Sequence, residues 1–360
     1  MHPILVMGSG PAGASASIFL AQMGFEVVIA TGKKEEGLKI GESLPPDALS
    51  LLAQLEVNQA FQQGAHEKCY GNQSIWGNDR IHYSDFIGHP LGHGWHIDRA
   101  EFEAMLIDRA RRLGVLSHDQ VKIASADFHE KAWDVLWGNG RKARFAFIID
   151  ATGRNSWFAR RQGAERLYED RQLALVTFLR SRKGRFDHSA SLIETTGQGW
   201  WYAAKIPGDR VATAFICSPT ANERANMVQA ESWWSLLSKA EGIMNRIARA
   251  DHEIIQAPKF LSAASGILNP VYGEGWLAVG DAALTYDPIA SHGILMAMVS
   301  ARDAAEAIRA RLDGKPRAMD EYQQRLAWAF QNYTVRRKEF YLSERRFPGS
   351  EYWEERVKMQ

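Results

Sequence analysis

The chain has 360 residues, and its 43 Lys and Arg against 42 Asp and Glu give a formal net charge of +1. This length exceeds that of one typical domain, and the balanced charge creates no field toward nucleic acid or an anionic membrane, so we expect a small-molecule or protein partner. Two cysteines cannot form a disulfide framework, and no stretch resembles a secretory leader or a membrane span, which favours a cytoplasmic protein.

The first thirty residues have the pattern of a strand, a glycine turn, a helix and a second strand. The apolar run 3–7 leads into Gly8-Ser-Gly10-Pro11-Ala12-Gly13, residues 14–23 have helical spacing, and 25–30 are apolar again. In G-x-G-x-x-G, the first glycine permits a tight turn, the second the approach of a pyrophosphate, and the third close packing of helix on sheet. The pattern therefore predicts a dinucleotide site at this turn, with phosphate at the helix N-terminus.

The second strand ends differently from most dinucleotide sites. An Asp or Glu normally accepts the ribose hydroxyls at this point, but the chain has Thr31-Gly32-Lys33. We expect either that Thr31 holds the ribose less firmly or that another part of the chain supplies the acceptor.

Two later strands also end in acidic or glycine turns. Residues 145–150 are followed by Ala-Thr-Gly153, and residues 275–279 by Gly280-Asp281. After the second turn come the loop 286–293 and a helical pattern over 294–312. Between these elements, a helix is predicted over 100–113 and a strand around 121–123.

Taken in order, these segments resemble the FAD monooxygenases and flavin-dependent halogenases built on the p-hydroxybenzoate hydroxylase plan, over roughly residues 1–320. The resemblance implies FAD as cofactor and an α/β, p-hydroxybenzoate hydroxylase-like FAD-binding fold (GR2-type Rossmann) with an antiparallel-sheet substrate domain. It places Asp281 on the ribityl hydroxyls and the helix after Gly293 toward the flavin N1 and C2 carbonyl. The residues implied to bind FAD are Gly8, Gly10, Pro11, Ala12, Gly13, Thr31, Gly41, Glu42, Ser43, Arg99, Ile123, Asp150, Gly153, Gly280, Asp281, Pro288, Ser291, Gly293 and Ile294.

The implied domains are discontinuous. Segments 1–68, 94–163 and 258–320 form the FAD-binding domain, 69–93 and 164–257 the substrate domain, and 321–360 a C-terminal helical segment. Four strand-like stretches between residues 172 and 217, joined by short turns, predict an antiparallel sheet. Residues 221–250 have a helical pattern.

Two local features resemble the halogenase branch: the turn Gly41-Glu42-Ser43, and Pro288-x-x-Ser291-x-Gly293. Lys68 follows the first at roughly the spacing of the halogenase lysine; the alternative, a solvated lysine at the start of a strand, is favoured because exposed lysines are the norm. The halogenase motif Trp-x-Trp-x-Ile-Pro is altered, with Tyr202 and Ala204 at its Trp positions. Loss of an indole at Ala204 favours closer approach of the substrate and direct oxygen transfer.

Segments 69–77, 92–99 and 341–353 resemble the maturases that accompany lysine ε-oxidase, glycine oxidase and quinohemoprotein amine dehydrogenase. This resemblance implies an FAD-dependent monooxygenase that hydroxylates a tryptophan, or another aromatic side chain, of a partner amine oxidase precursor. Two alternatives remain open: a flavin-dependent halogenase of a small aromatic substrate, and a non-catalytic flavin-containing binding or chaperone protein. No second dinucleotide fingerprint is visible, so electrons would come from NAD(P)H bound transiently or from a separate flavin reductase.

His292 is the candidate proton donor, because it immediately precedes the helix aimed at the flavin; a structural histidine is the alternative. His93 and His96 have no third ligand at metal spacing, so no metal site is expected. Five aromatic side chains are candidates for the mouth of the substrate site or for the core: Trp76, Trp95, Trp200, Trp201 and Tyr202. The arginines between residues 302 and 346 are expected to form a solvated helix face, with docking of an acidic partner as the alternative.

Overall fold

The computed structural model describes residues 2–33, 37–182 and 189–358. The strands, in chain order, are β1 (Ile4–Met7), β2 (Val27–Ala30), β3 (Ser43–Leu44), β4 (Glu67–Cys69), β5 (Gly71–Ile75), β6 (His82–Asp85), β7 (Gly94–His96), β8 (Leu116–His118), β9 (Ile123–His129), β10 (Ala132–Trp137), β11 (Lys142–Phe145), β12 (Phe147–Asp150), β13 (Glu165–Tyr168), β14 (Leu173–Ser181), β15 (Ser191–Thr196), β16 (Gly199–Ile206), β17 (Arg210–Cys217), β18 (His252–Ser262), β19 (Gly266–Asn269), β20 (Tyr272–Gly273), β21 (Trp276–Ala278) and β22 (Leu284–Thr285). The helices are α1 (Pro11–Gln22), α2 (Ala48–Gln54), α3 (Asn58–Gln63), α4 (Arg99–Arg112), α5 (Trp157–Arg161), α6 (Ala221–Met227), α7 (Ala230–Leu237), α8 (Glu241–Met244), α9 (Gly293–Leu312), α10 (Ala318–Leu342) and α11 (Glu351–Lys358).

The first sheet has the order β20-β21-β12-β1-β2-β8, and all its neighbours are parallel except β20. The strand β1 is central because its four apolar residues are buried on both faces. Parallel strands end at one edge of a sheet, so the turns that follow β1, β2, β12 and β21 meet there. The predicted α/β fold is confirmed; the domain boundaries stay a prediction.

The strand predicted around 121–123 is not the neighbour of β2 in the first sheet. The strand beside β2 is β8, which ends at His118, whereas Ile123 begins β9 in a separate three-stranded sheet. Between them, the Val121 amide donates to the Thr31 carbonyl oxygen at 2.8 Å. The chain therefore leaves the first sheet before the apolar residues that suggested a strand.

The second large sheet has the order β18-β14-β17-β16-β15-β5-β6 and contains the four predicted strands. It is antiparallel except where β15 pairs with β5. Successive side chains of β16 point to opposite faces: Trp200 packs with the C-terminal residues, and Trp201 packs with Trp233 and Trp234 of α7. Both faces of this sheet are therefore covered.

The segment 221–250, predicted to be helical, folds as three short helices, α6, α7 and α8, followed by a 3₁₀ turn. Thr220 and Glu223 form a capping box that begins α6. At the start of α8, the free backbone amides of Gly242 and Ile243 donate to the side chain of Glu194 on β15 at 3.1 and 2.8 Å. The start of α6 is therefore encoded locally by the capping box, whereas the start of α8 depends on a tertiary contact with Glu194, which the pattern does not contain.

The arginines of the C-terminal region do not all form a solvated face. Arg337 on α10 is buried and pairs with Asp170 and Asp287 at 2.7 and 2.9 Å. Arg346 is mostly covered and pairs with the buried Glu344 at 2.7 Å. That part of the prediction is wrong, because sequence alone does not show which helix face meets a buried carboxylate.

Candidate active site

One cavity of about 350 Å³ lies at the edge of the first sheet, and its lining includes Ser9, Gly10, Arg99 and Asp119. Gly8 has φ +114°, and a Cβ there would collide with the Ala151 carbonyl oxygen. A Cβ at Gly10 would meet nothing within 4 Å. The N-terminus of α1 begins at Pro11 and has no side-chain cap, so its free N–H groups are available to an anion.

Arg99 connects this cavity to the predicted flavin turn. Its Nη1 donates to the Ile40 and Gly41 carbonyl oxygens at 2.9 and 3.1 Å, and its Nη2 donates to Glu103 at 2.6 Å. The buried Nε has no partner among the residues that the structure describes. Arg99 therefore fixes the turn and keeps one donor for a bound group.

Asp150 is fully buried, and its carboxylate is used within the protein. Oδ1 accepts from the Thr152 amide and hydroxyl at 2.9 and 2.6 Å, while Oδ2 accepts from the Phe158 and Ala159 amides at 2.9 and 2.8 Å. These bonds shape the 150–153 turn against Gly8. Asp150 thus positions the turn, and Gly153 lies in it with φ +68°.

The turn at Gly280 lies between α1 and α9. A Cβ at Gly280 would collide with Ala12, and the Gly280 amide donates to Ser300 Oγ on α9 at 2.9 Å. Arg166, which the sequence did not single out, donates from Nη2 to the Asp281 and Ala282 carbonyl oxygens at 2.7 and 2.8 Å. The Asp281 carboxylate remains partly exposed at a small cleft that includes Gly293.

A second cavity of about 790 Å³ has a lining that brings together Ser43, Trp95, Ser291 and His292. Ser291 has φ +51°, and α9 begins directly after His292 without a side-chain cap. Its N-terminal N–H groups can therefore stabilise negative charge on a bound ring. His292 is exposed, and its Nδ1 contacts the Ala290 carbonyl oxygen.

A buried polar group separates the two cavities: Glu42 lines the first and Ser43 the second. The Tyr202 hydroxyl donates to Glu42 Oε1 and lies 2.9 Å from Ser43 Oγ, and the Gly41 amide donates to Glu42 Oε2 at 2.9 Å. Burial raises the pKa of Glu42, against the opposing effect of the Tyr202 hydroxyl. Tyr202, at the first Trp position of the altered motif, is therefore a hydrogen-bond donor to the turn.

These features fit FAD: two uncapped helix N-termini, a free Arg99 donor and glycines where backbones approach closely. Residues 1–335 match the family model described as FAD binding domain. The chain belongs to this family. It is an FAD-dependent flavoprotein of the oxidoreductase class, and the prediction of FAD is confirmed.

Similar proteins cover nearly the whole flavoprotein. It is 27% identical to a Marinomonas mediterranea protein provisionally described as the FAD-dependent oxidoreductase LodB, over 99% of this chain and 96% of that protein. It is 26% identical to the flavin-dependent halogenase ptaM of Pestalotiopsis fici, over 85% of this chain but only 63% of the halogenase. The first of these relatives therefore matches it in length as well as in sequence.

Two solved structures show the same fold. The myxobacterial chondrochloren halogenase CndH superposes with a TM-score of 0.88 at 22% identity, covering 99% of this chain and 85% of that one. The peptidyl tryptophan dihydroxylase QhpG, described as essential for tryptophylquinone cofactor biogenesis, superposes with 0.78 at 21% identity, covering 99% and 78%. None of the flavoprotein's helices in its described part is both long and apolar enough to cross a bilayer.

Some predicted site residues lie away from both cavities. Lys68 is exposed on β4, opposite Trp95 of β7, and does not line the second cavity; Ile123 lines neither. Trp200 and Trp201 are core residues. Ala204 is also buried and lines neither cavity, so the missing indole leaves no gap beside them. Of the predicted aromatic mouth, Trp95 alone lines the second cavity.

The loop before α9 is held by a buried cluster that the sequence did not indicate. Asp287 Oδ2 accepts from Arg337 Nε, the Tyr341 hydroxyl and Gln172 Nε2 at 2.9, 2.8 and 2.7 Å. The Asp287 amide donates to the Tyr333 hydroxyl at 2.7 Å. Side chains of α10 thus fix the position of the loop that contains Pro288 and Ser291. In the sequence, the only sign of this role was the presence of polar residues within the helical pattern of α10.

Proposed function

We propose that this flavoprotein is a monooxygenase that hydroxylates an aromatic side chain, a tryptophan, presented by a partner protein. The observation that carries the proposal is the form of the second cavity's mouth. Trp328 of α10 lines it yet is 69% exposed, and on the loop after β6, Ile87 is 98% exposed between the lining residues Phe86 and His89. Apolar surface outside a cavity suits a polypeptide better than a small, fully enclosed substrate.

The face of α10 at this mouth is continuous. Trp328, Asn332, Arg336 and Phe340 recur every four residues, and all four are exposed and line the cavity. An extended segment lying along α10 would contact this row while one aromatic side chain enters the cavity. Resemblance to the tryptophylquinone maturases, and the likeness to LodB and QhpG, support this choice of partner.

When bound and reduced, FAD supplies the electrons that activate dioxygen for transfer of one oxygen atom to an aromatic carbon. The chain's own contribution is to place the ring and to manage protons. His292 lies in the cavity lining at the start of α9, where its imidazole can donate a proton to the oxygen that develops negative charge. The hydrogen bonds of Glu42 and Tyr202 fix the predicted flavin turn, whose Ser43 lines the same cavity.

Halogenation of a free aromatic substrate is the competing activity. A halogenase requires a lysine between flavin and substrate, but no lysine lines the second cavity in the described part of the chain, and Lys68 is exposed. Lys205, the other lysine close to this region, pairs with Glu67 at 3.2 Å. The basic side chains of the cavity lining, among the described residues, are Arg336, Arg337, His89 and His292.

The deciding experiment supplies NADH, a flavin reductase, oxygen and chloride or bromide to the FAD-loaded protein. Substrates are a tryptophan-containing peptide, free tryptophan and indole, and products are identified by mass spectrometry. We expect one or two added oxygen atoms on the peptide and far less on free tryptophan. An added halogen would refute the proposal. A binding protein would be favoured if no product forms and no substrate stimulates oxygen uptake, with a candidate amine oxidase precursor included among the substrates.

Three variants sharpen this test. Lys68→Ala should retain oxidation of the peptide, whereas in a halogenase that uses Lys68 the same substitution would abolish halogenation. His292→Asn should abolish product while FAD binding is unchanged; full turnover by this variant would remove the proton-donor role. Trp328→Ala should raise KM for the peptide with little change for indole, and equal effects on both substrates would contradict docking along α10.

A further inference from the structure

We propose that Asp119 accepts the adenosine ribose hydroxyls of FAD, at the position where the end of β2 lacks a carboxylate. The inference concerns the cofactor's nucleotide half and does not depend on hydroxylation. Asp119 was not expected from the sequence, because β8, the strand that it follows, was not predicted. It nevertheless lines the same cavity as Ser9, Gly10 and Arg99.

The backbone brings Asp119 beside Thr31, which stands where other dinucleotide sites have an acidic residue. Strands β2 and β8 are parallel, with Ala30 opposite His118, and the Thr31 amide donates to the His118 carbonyl oxygen at 2.9 Å. Thr31 and Asp119 are thus the first residues beyond neighbouring strands. Both lie at the sheet edge where the Gly8 turn follows β1.

The side chain of Asp119 is directed back over the end of β2. Its Oδ1 accepts from Thr31 Oγ1 at 3.1 Å and from Ser117 Oγ at 3.3 Å, and its Oδ2 lies 3.5 Å from Arg111 Nη2. Neighbouring strands are about 4.8 Å apart, so the backbone of Asp119, after β8, lies one strand farther from the glycine turn than the usual acidic residue at the end of β2. The hydrogen bond from the buried Thr31 offsets this displacement.

The carboxylate is also open to a ligand. It is about half exposed, with 49% of the side-chain surface accessible. An ionised carboxylate offers about four acceptor positions, and the three contacts above leave room for a hydroxyl donor. Thr31, whose hydroxyl is already donating to Asp119, therefore acts as the positioning residue, and Asp119 makes the contact with the ribose.

The test compares two ligands on apo-protein: FAD, and an FAD analogue whose adenosine carries 2′,3′-dideoxyribose. Dissociation constants are measured by quenching of flavin fluorescence. Because hydrogen bonds to charged acceptors are the stronger class, the wild type should bind FAD at least about tenfold more tightly than the analogue. In Asp119→Ala the two ligands should bind almost equally, at the analogue's wild-type affinity, whereas Asp119→Asn, whose amide oxygen is a neutral acceptor, should retain a smaller preference for FAD than the wild type.

Two further variants separate contact from scaffolding. Asp127→Ala removes an exposed carboxylate from β9 and should retain the wild-type preference. Adding Thr31→Glu to Asp119→Ala returns the acid to the end of β2 and should restore the preference for FAD. The proposal is overturned if wild type does not discriminate between the ligands, if Asp119→Ala still does, or if both affinities fall in parallel, which would indicate a structural role.

Discussion

The strongest energetic prediction concerns Arg337, whose guanidinium lies between the side chains of Asp170 and Asp287, both fully buried. Truncation in Arg337→Ala leaves two buried carboxylates without their cation. Breaking a buried pair by removal of one partner costs about 3 to 5 kcal/mol. The lower value applies here, because each carboxylate keeps hydrogen bonds, from Gln172 and Ser265 to Asp170 and from Gln172, Tyr341 and Ile289 to Asp287.

We therefore expect a loss of about 3 kcal/mol in the free energy of unfolding, measured by urea denaturation of apo-protein and followed by tryptophan fluorescence. The matched control is Arg336→Ala, an exposed arginine one position earlier on α10, which should change stability by less than about 0.5 kcal/mol. FAD affinity should fall in Arg337→Ala alone, because Asp287 belongs to the loop before α9. Equal, small effects of the two substitutions would refute the reasoning.

Three further predictions follow from buried groups. Burial lowers the pKa of His96 from 6.5 to about 4, so as the pH falls the unfolded chain takes up a proton before the folded protein does. The free energy of unfolding should therefore fall between pH 6.5 and pH 4, and it should fall less in His96→Gln. Urea denaturation at pH 6.5 and at pH 4 measures this difference. Burial raises the pKa of both thiols, that of Cys217 to about 12, so neither should react with a disulfide reagent at pH 8 until urea unfolds the protein. Tyr202→Phe removes a donor to the buried Glu42 and should cost about 1 to 3 kcal/mol, whereas Tyr83→Phe, at an exposed tyrosine, should cost almost nothing; similar values for both would contradict this role.

The FAD half of the molecule was largely predictable, because its signals are local. The turn at Gly8 and the turn at Gly280 each follow an apolar strand, and parallel pairing brings such ends together. Their order in the chain was enough to predict FAD as the cofactor.

The rest depends on contacts between distant segments, which a pattern does not contain. The partners of Arg337 are 167 and 50 positions away at Asp170 and Asp287, and nothing near any of them indicates the pairing. Tyr202 was expected to line the substrate site in place of a tryptophan, but its hydroxyl instead binds Glu42, which lies far away in the sequence on the turn before β3. Asp119 was missed because Val121 and Ile123, which follow it, have a more apolar pattern than the residues of β8, so the strand was predicted there.

The contribution of α10 to the flavin loop has a consequence for the order of assembly in the cell. Arg337 and Tyr341 leave the ribosome long after the glycine turn and the loop that contains Asp287. Domains generally fold as units during synthesis, so Asp170 and Asp287 lack the cation that neutralises them until α10 has emerged. The loop before α9 therefore gains its buried arginine and tyrosine partners only after α10 has been made, so its final geometry depends on a segment synthesised after the loop itself.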